Sequence, residues 1–162
     1  MMTSPSDGGG SLPRNDPAPV ASRPPAVSAD GDSKPASRRA RRILIVEDNR
    51  DTAETLRLLL EMFGDTVRTA YQGTVAITIA REFSPEVVLC DISLPGEMDG
   101  HAVAHVIRAE AARPAPFLIA MSGYDSDEDS QRALNSGFNA YLPKPVEFST
   151  LQALLDKVPD TT

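Results

Sequence analysis

Four short apolar runs, each ending in a polar group, constrain this chain more than anything else in it. Ile43-Leu44-Ile45-Val46 ends in Glu47-Asp48, and Val87-Val88-Leu89-Cys90 ends in Asp91. Phe117-Leu118-Ile119-Ala120-Met121 ends in Ser122-Gly123, and Ala140-Tyr141-Leu142 ends in Pro143-Lys144-Pro145. Read as strands, they deliver carboxylates, a carboxylate, a hydroxyl and an ammonium to their C-terminal ends. In parallel α/β sheets, ligands bind at that edge. A site for a divalent metal and a phosphoryl group would need this set of groups.

Between the runs the apolar period changes to 3.6 residues. Ala53, Leu56, Leu60 and Phe63 share one helical face. So do Ala76, Ile79, Ala80 and Phe83, and later Leu151, Leu154, Leu155 and Val158. Ala102, Val103, Val106 and Ile107 mark a further helix, entered through Asp99, a good N-cap residue. A weaker pattern from Ser126 to Ser136 stops at Gly137, which suits the C′ position. Thr66 to Ala70 fits as one more strand between the first two helices. The order is βαβαβαβαβα. Strict alternation with short connections predicts an α/β fold, a doubly wound parallel sheet with right-handed crossovers. The expected strand order is 2-1-3-4-5, that of the flavodoxin-like (βα)5 fold.

Composition divides the chain at one place. Residues 1–42 hold seven of the 14 prolines and almost no large apolar side chains. Such a segment buries too little surface to offset its ordering entropy, so a disordered Pro/Ser/Gly-rich extension is expected. It ends in a basic cluster, Arg38-Arg39-Ala40-Arg41-Arg42, read as a solubilising boundary that could also touch nucleic acid or anionic lipid. Residues 43–158 form the expected folded domain, and 159–162 a short C-terminal tail with no output domain. The extension carries +3 and the whole chain −7, which leaves −10 on residues 43–162. A domain this acidic is not expected to bind nucleic acid directly.

Cys90 is the single cysteine, so no intrachain disulfide forms, and a reducing, cytoplasmic setting is expected. It reads as an inert core thiol. No apolar run approaches the roughly 20 residues of a membrane span, so no membrane association is expected. The run behind the arginines is too short for a signal-peptide core. His101 and His105 stand at i, i+4 without a third ligand, so a solvated helix face is expected there. The acidic run Asp125 to Asp129 reads as a solvated helix start.

In the expected strand order, strands 1 and 3 are neighbours, which brings Glu47, Asp48 and Asp91 together. Two carboxylates at 4 Å repel by about 4 kcal/mol at an effective dielectric of 20. A hard cation relieves that repulsion. Mg²⁺ prefers oxygen ligands, typically one or two carboxylates plus a phosphate oxygen, and keeps several waters. Lys144 supplies fixed positive charge from strand 5, and Ser122 a hydroxyl for a phosphoryl oxygen. Asp91 is the candidate nucleophile, giving an acyl phosphate.

The region from 43 to about 158 resembles the receiver domain of two-component response regulators. The resemblance rests on Ile45-Val46-Glu47-Asp48, Val88-Leu89-Cys90-Asp91, Leu94-Pro95 and Met98-Asp99-Gly100, with Met121-Ser122-Gly123 and Tyr141 with Lys144-Pro145 completing the set. The Ser122-Gly123-Tyr124 run is most similar to receivers attached to hybrid sensor kinases. The resemblance implies that Asp91 is the phospho-acceptor. It implies that Glu47 and Asp48 organise Mg²⁺, with Asp48 the more direct ligand, and that the backbone carbonyl at Ser93 also ligates it. Ser122 matches the switch hydroxyl, Tyr141 the coupled aromatic, and Lys144 the phosphate-contacting lysine. The Lys144–Pro145 bond is usually cis in such domains.

The partner implied is a histidine kinase or histidine phosphotransfer protein. The chain would then be a phospho-accepting signalling domain, with only self-catalysed phosphorylation and dephosphorylation, acting through a switch or as a phosphate shuttle or sink. In one respect the chain departs from the family. Two residues, Gly96 and Glu97, separate Leu94-Pro95 from Met98-Asp99-Gly100, where one is common. Glu97 is expected to add a carboxylate near the mouth of the site. Two other readings remain open at this point. One is an aspartyl-phosphate phosphohydrolase, which Ser93 argues against, because haloacid-dehalogenase-like enzymes place a second Asp there. The other is an unphosphorylated receiver-like scaffold, which the intact Glu47, Asp48, Asp91 and Lys144 argue against.

Overall fold

The structure, a computed structural model, describes residues 39–111, 114–123 and 126–160. Five strands and five helices alternate: β1 Arg42–Val46, α1 Arg50–Met62, β2 Thr66–Ala70, α2 Gly73–Phe83, β3 Val87–Asp91, α3 Gly100–Glu110, β4 Phe117–Ser122, α4 Asp127–Asn135, β5 Ala140–Pro143 and α5 Phe148–Asp156. All four strand pairings are parallel and the order is β2-β1-β3-β4-β5, as the alternation predicts.

The apolar runs are continuous because the sheet is covered on both faces. Successive side chains point to opposite sides. Leu44, Val46, Val88, Cys90, Leu118 and Ala120 meet α2 and α3 on one side. Ile43, Ile45, Val87, Leu89, Ile119 and Met121 meet α1 and α5 on the other. Cys90 is buried, as expected, and burial pushes its thiol well above the ordinary range. Asp99 caps α3 by accepting from Ala102 N, and Ser126 caps α4 by accepting from Asp129 N. Gly137 follows α4 with φ +106°, the left-handed conformation that ends a helix with little strain.

Two helix faces differ from the periodic reading. In α2 the buried residues are Gly73, Ala76 and Ile77, while Ile79 and Phe83 are only half-buried. In α3 they are Gly100, Val103, Ala104 and Ile107, while Ala102 and Val106 are half-buried. Both helices pack on the sheet and on each other, so their apolar stripe is wider than one face.

The expectation of disorder over residues 1–38 lies outside the described residues. The arginines that follow are not wholly a solvated boundary. Arg41 is 4% exposed. Its backbone N–H donates to Asp65 Oδ1 at 3.0 Å, and its guanidinium donates to Val158 O at 2.8 Å and Pro159 O at 3.4 Å. Arg39 pairs with Glu86 at 2.5 Å, and Arg42 opens β1. No helix among the described residues is long and apolar enough to cross a membrane.

Candidate functional site

Parallel register carries the polar residues to one edge. Val46 pairs with Cys90, Asp91 with Met121, and Ser122 with Pro143. The residues at or just after these positions, Glu47, Asp48, Asp91, Ser122 and Lys144, therefore lie along the C-terminal side of the sheet. Asn49 fixes the turn into α1. Its side chain accepts from Thr52 N at 3.0 Å, and its own N–H donates to Glu47 Oε1 at 3.1 Å.

Glu47, Asp48 and Asp91 each offer a carboxylate oxygen within 4.8 Å of the others. Glu47 and Asp91 are buried and Asp48 is exposed. The Lys144 ammonium lies 2.6 Å from Glu47 Oε2 and 2.9 Å from Asp91 Oδ2. A single ammonium against three carboxylates leaves a surplus of negative charge. Burial pushes the Glu47 carboxyl above its ordinary range. The hydrogen bonds from Lys144 and Asn49 oppose that shift, and the Asp91 charge adds to it. Burial also works against the Lys144 charge, but its hydrogen bonds to Glu47 and Asp91 outweigh this and hold the ammonium above its usual value. An all-oxygen donor set with unbalanced negative charge and one solvent-facing carboxylate fits a hard divalent cation.

The other expected site residues lie around this cluster. Ser93 N donates to Asp91 Oδ1 at 2.9 Å, which orients the carboxylate. Ser122 is buried at the end of β4, and its carbonyl accepts from Lys144 N at 2.7 Å. The Lys144–Pro145 peptide is cis. Tyr141 is half-buried among residues packed under α3 and α4, and its buried phenolic oxygen has no hydrogen-bond partner among the described residues. Tyr124 lies outside the described residues.

Glu97 is not among the three carboxylates that lie within 4.8 Å of one another. It lies with Pro95, Gly96 and Met98 along a cleft of about 410 Å³ opposite Gln72, Gly73 and Thr74. Gly96 in this loop takes φ +96°. One expectation is corrected in part: His105 is exposed, but His101 is half-buried. Its Nδ1 lies 2.6 Å from Ser136 Oγ and its ring meets Phe138 edge-on. The side-chain pattern also missed Gly73 and the crowding at Gly100. A Cβ at Gly100 would fall 2.3 Å from Asp91 O.

A profile for the response regulator receiver domain matches residues 43–156. The chain is 37% identical over 105 residues to an uncharacterized 14.6 kDa protein in the sodA1 3′ region of Leptolyngbya boryana, a match covering 65% of this chain and 79% of that one. It is 38% identical over 115 residues to the transcriptional regulatory protein ZraR of Escherichia coli K12, covering 71% of this chain but only 25% of ZraR. Among solved structures it resembles a two-component response regulator from Clostridium difficile, with TM-score 0.67 and 26% identity over 72% of this chain and 93% of that one. With the sheet order and the acidic edge already described, these matches establish that the chain belongs to the response regulator receiver domain family.

Proposed function

We propose that this receiver accepts a phosphoryl group on Asp91 from a histidine kinase or histidine phosphotransfer protein in a Mg²⁺-dependent reaction. The observation that carries the reading is the Lys144 ammonium, shared between Glu47 and Asp91 beside the exposed Asp48. In the transfer, an Asp91 carboxylate oxygen attacks phosphorus. A P–O bond forms, the P–N bond to the donor imidazole breaks, and its electron pair returns to the ring nitrogen. Ser93 N–H holds one Asp91 oxygen, leaving the other free to react once Lys144 shifts toward the incoming charge. Bound Mg²⁺, held by Asp48, Asp91 and the Ser93 carbonyl with Glu47 behind them, would offset the negative charge of the phosphoryl group. Treatment with acetyl phosphate and Mg²⁺ is expected to add one phosphoryl group. Asp91→Asn should abolish it and Asp48→Asn should slow it. An Asp91→Asn protein modified as fast as its parent would sink the assignment.

The phosphoryl group brings roughly −1.5 to −2 charges and three acceptor oxygens. Ser122 and Lys144 are the donors at hand. Movement of Ser122 toward them would vacate space beside Tyr141, whose hydroxyl has no hydrogen-bond partner among the described residues to lose on turning. The surface formed by α4, β5 and α5 would then change shape for a partner. Beryllofluoride, a phosphoryl mimic, should shift backbone amides across residues 126–136 and 139–147. A response confined to the neighbours of Asp91 would exclude this switch.

A further inference from the structure

We infer that Gly73, the first residue of α2, is a positioning residue for the loop that follows the phospho-acceptor. The inference rests on the proposed role of Asp91 and concerns how its loop is held. That loop, residues 92–99, is closed at its base. Ile92 N donates to Met121 O at 3.0 Å, and Gly100 N donates to Ile92 O at 3.0 Å. Leu94 is buried in the core on the α2 and α3 side of the sheet. The far side of the loop rests on α2. A Cβ at Gly73 would lie 2.8 Å from Met98 Cβ, 2.9 Å from Met98 O and 2.9 Å from Val103 Cγ2. Met98 Cβ and O cannot swing away as the end of a flexible side chain would. The bare backbone at Gly73 is therefore the seat on which Met98 sits.

The extra loop residue does not disturb that seat. Pro95, Gly96 and Glu97 arch over the cleft beside Gln72 and Thr74, and the chain then returns to Met98. Bulk at Gly73 must either lift the start of α2 or push Met98 toward the closed base of the loop. The base holds Ser93, whose N–H orients Asp91 and whose carbonyl is assigned to the metal. Misplacing a reacting group by an ångström, even through a distant change, can cost on the order of 10²-fold in rate.

The test compares four proteins in phosphorylation by acetyl phosphate at a temperature where each is folded: the parent, Gly73→Ala, a Glu97 deletion, and Leu60→Ala. Leu60 is a buried residue of α1, on the opposite face of the sheet, so its truncation controls for lost stability alone. Gly73→Ala is expected to slow phosphorylation about tenfold or more. It should weaken the Mg²⁺ affinity read from amide shifts, and move the Ile92, Ser93 and Met98 amides in metal-free protein. The Glu97 deletion and Leu60→Ala should stay within about twofold of the parent. Should Gly73→Ala fail to fold, Met98→Gly removes the nearest contact from the loop side and should slow the reaction too. Gly73→Ala and Leu60→Ala proteins with equal rates, or shifts confined to α2, would overturn the inference. An unmodified parent would count against the reading of Asp91, and the metal-free shifts would still decide the role of Gly73.

Discussion

His101 is held by its neighbour: its Nδ1 lies 2.6 Å from Ser136 Oγ, which is also within hydrogen-bond reach of Arg132 O at 2.9 Å. Burial first, then the Arg132 charge, hold this histidine below its ordinary value of 6.5, while Asp99 and Asp129 pull the other way. The unfolded chain therefore takes up a proton here at higher pH than the fold does. Stability contributed by neutral His101 is present above pH 6.5 and is lost as pH falls toward the depressed value. His101→Asn should flatten that slope in thermal melts between about pH 5 and 7.5. An unchanged slope would place the acid sensitivity elsewhere. This residue also marks the limit of reading single positions. Glu47, Asp48, Asp91 and Lys144 were legible because each interrupts or follows an apolar run with charge. The partner of His101 is 35 residues away, and Gly73 meets Met98 across two elements, so neither contact leaves a local trace.

Among the helices, α4 buries the fewest residues. Its only buried residue is Ala133, and its first turn carries Asp127, Glu128 and Asp129. Acids there favour the helix dipole but anchor nothing. Its C-terminal end is tied down instead. Arg108 on α3 donates to Gly137 O and Pro116 O, each at 2.9 Å, and also bonds Asn139. A helix held at one end can pivot, and the proposed switch needs α4 to do so. Arg108→Ala should cost about 1–3 kcal/mol, because it strands carbonyls that now accept from it. It should also speed amide exchange through Asn135 to Asn139. Exchange unchanged there would mean that β5 alone holds this end. The sequence marked α4 by its caps, Ser126 and Gly137, more than by its weak apolar face. Its sparse anchoring follows from that same weakness. The faces of α2 and α3 matched the expected ones only at Ala76, Val103 and Ile107, because the 3.6 period describes one apolar face and these helices bury two.

At the scale of the whole molecule, the strand order followed from alternation and the handedness of crossovers, and needed no single contact. The part Arg41 plays where the chain enters the fold was not legible, because arginines in a basic cluster read as solvated. Arg41 holds Val158 and Pro159, and Arg39 Nε lies 3.6 Å from Asp160 Oδ1. Both seams of the domain therefore lie at the N-terminal edge of the sheet. Asp91 lies at the other edge, a strand length of roughly 15 Å away. Such a domain can be circularly permuted. Joining residue 160 to residue 39 through about four to six residues, and opening the chain at the exposed Gly64 turn, should give a protein that melts cooperatively and is still modified on Asp91. Loss of cooperative melting would show that strand continuity at α1–β2 matters more than the arginine clasp. By the same geometry the domain could be spliced into a surface loop of a host protein, with its reactive pole facing away from both junctions.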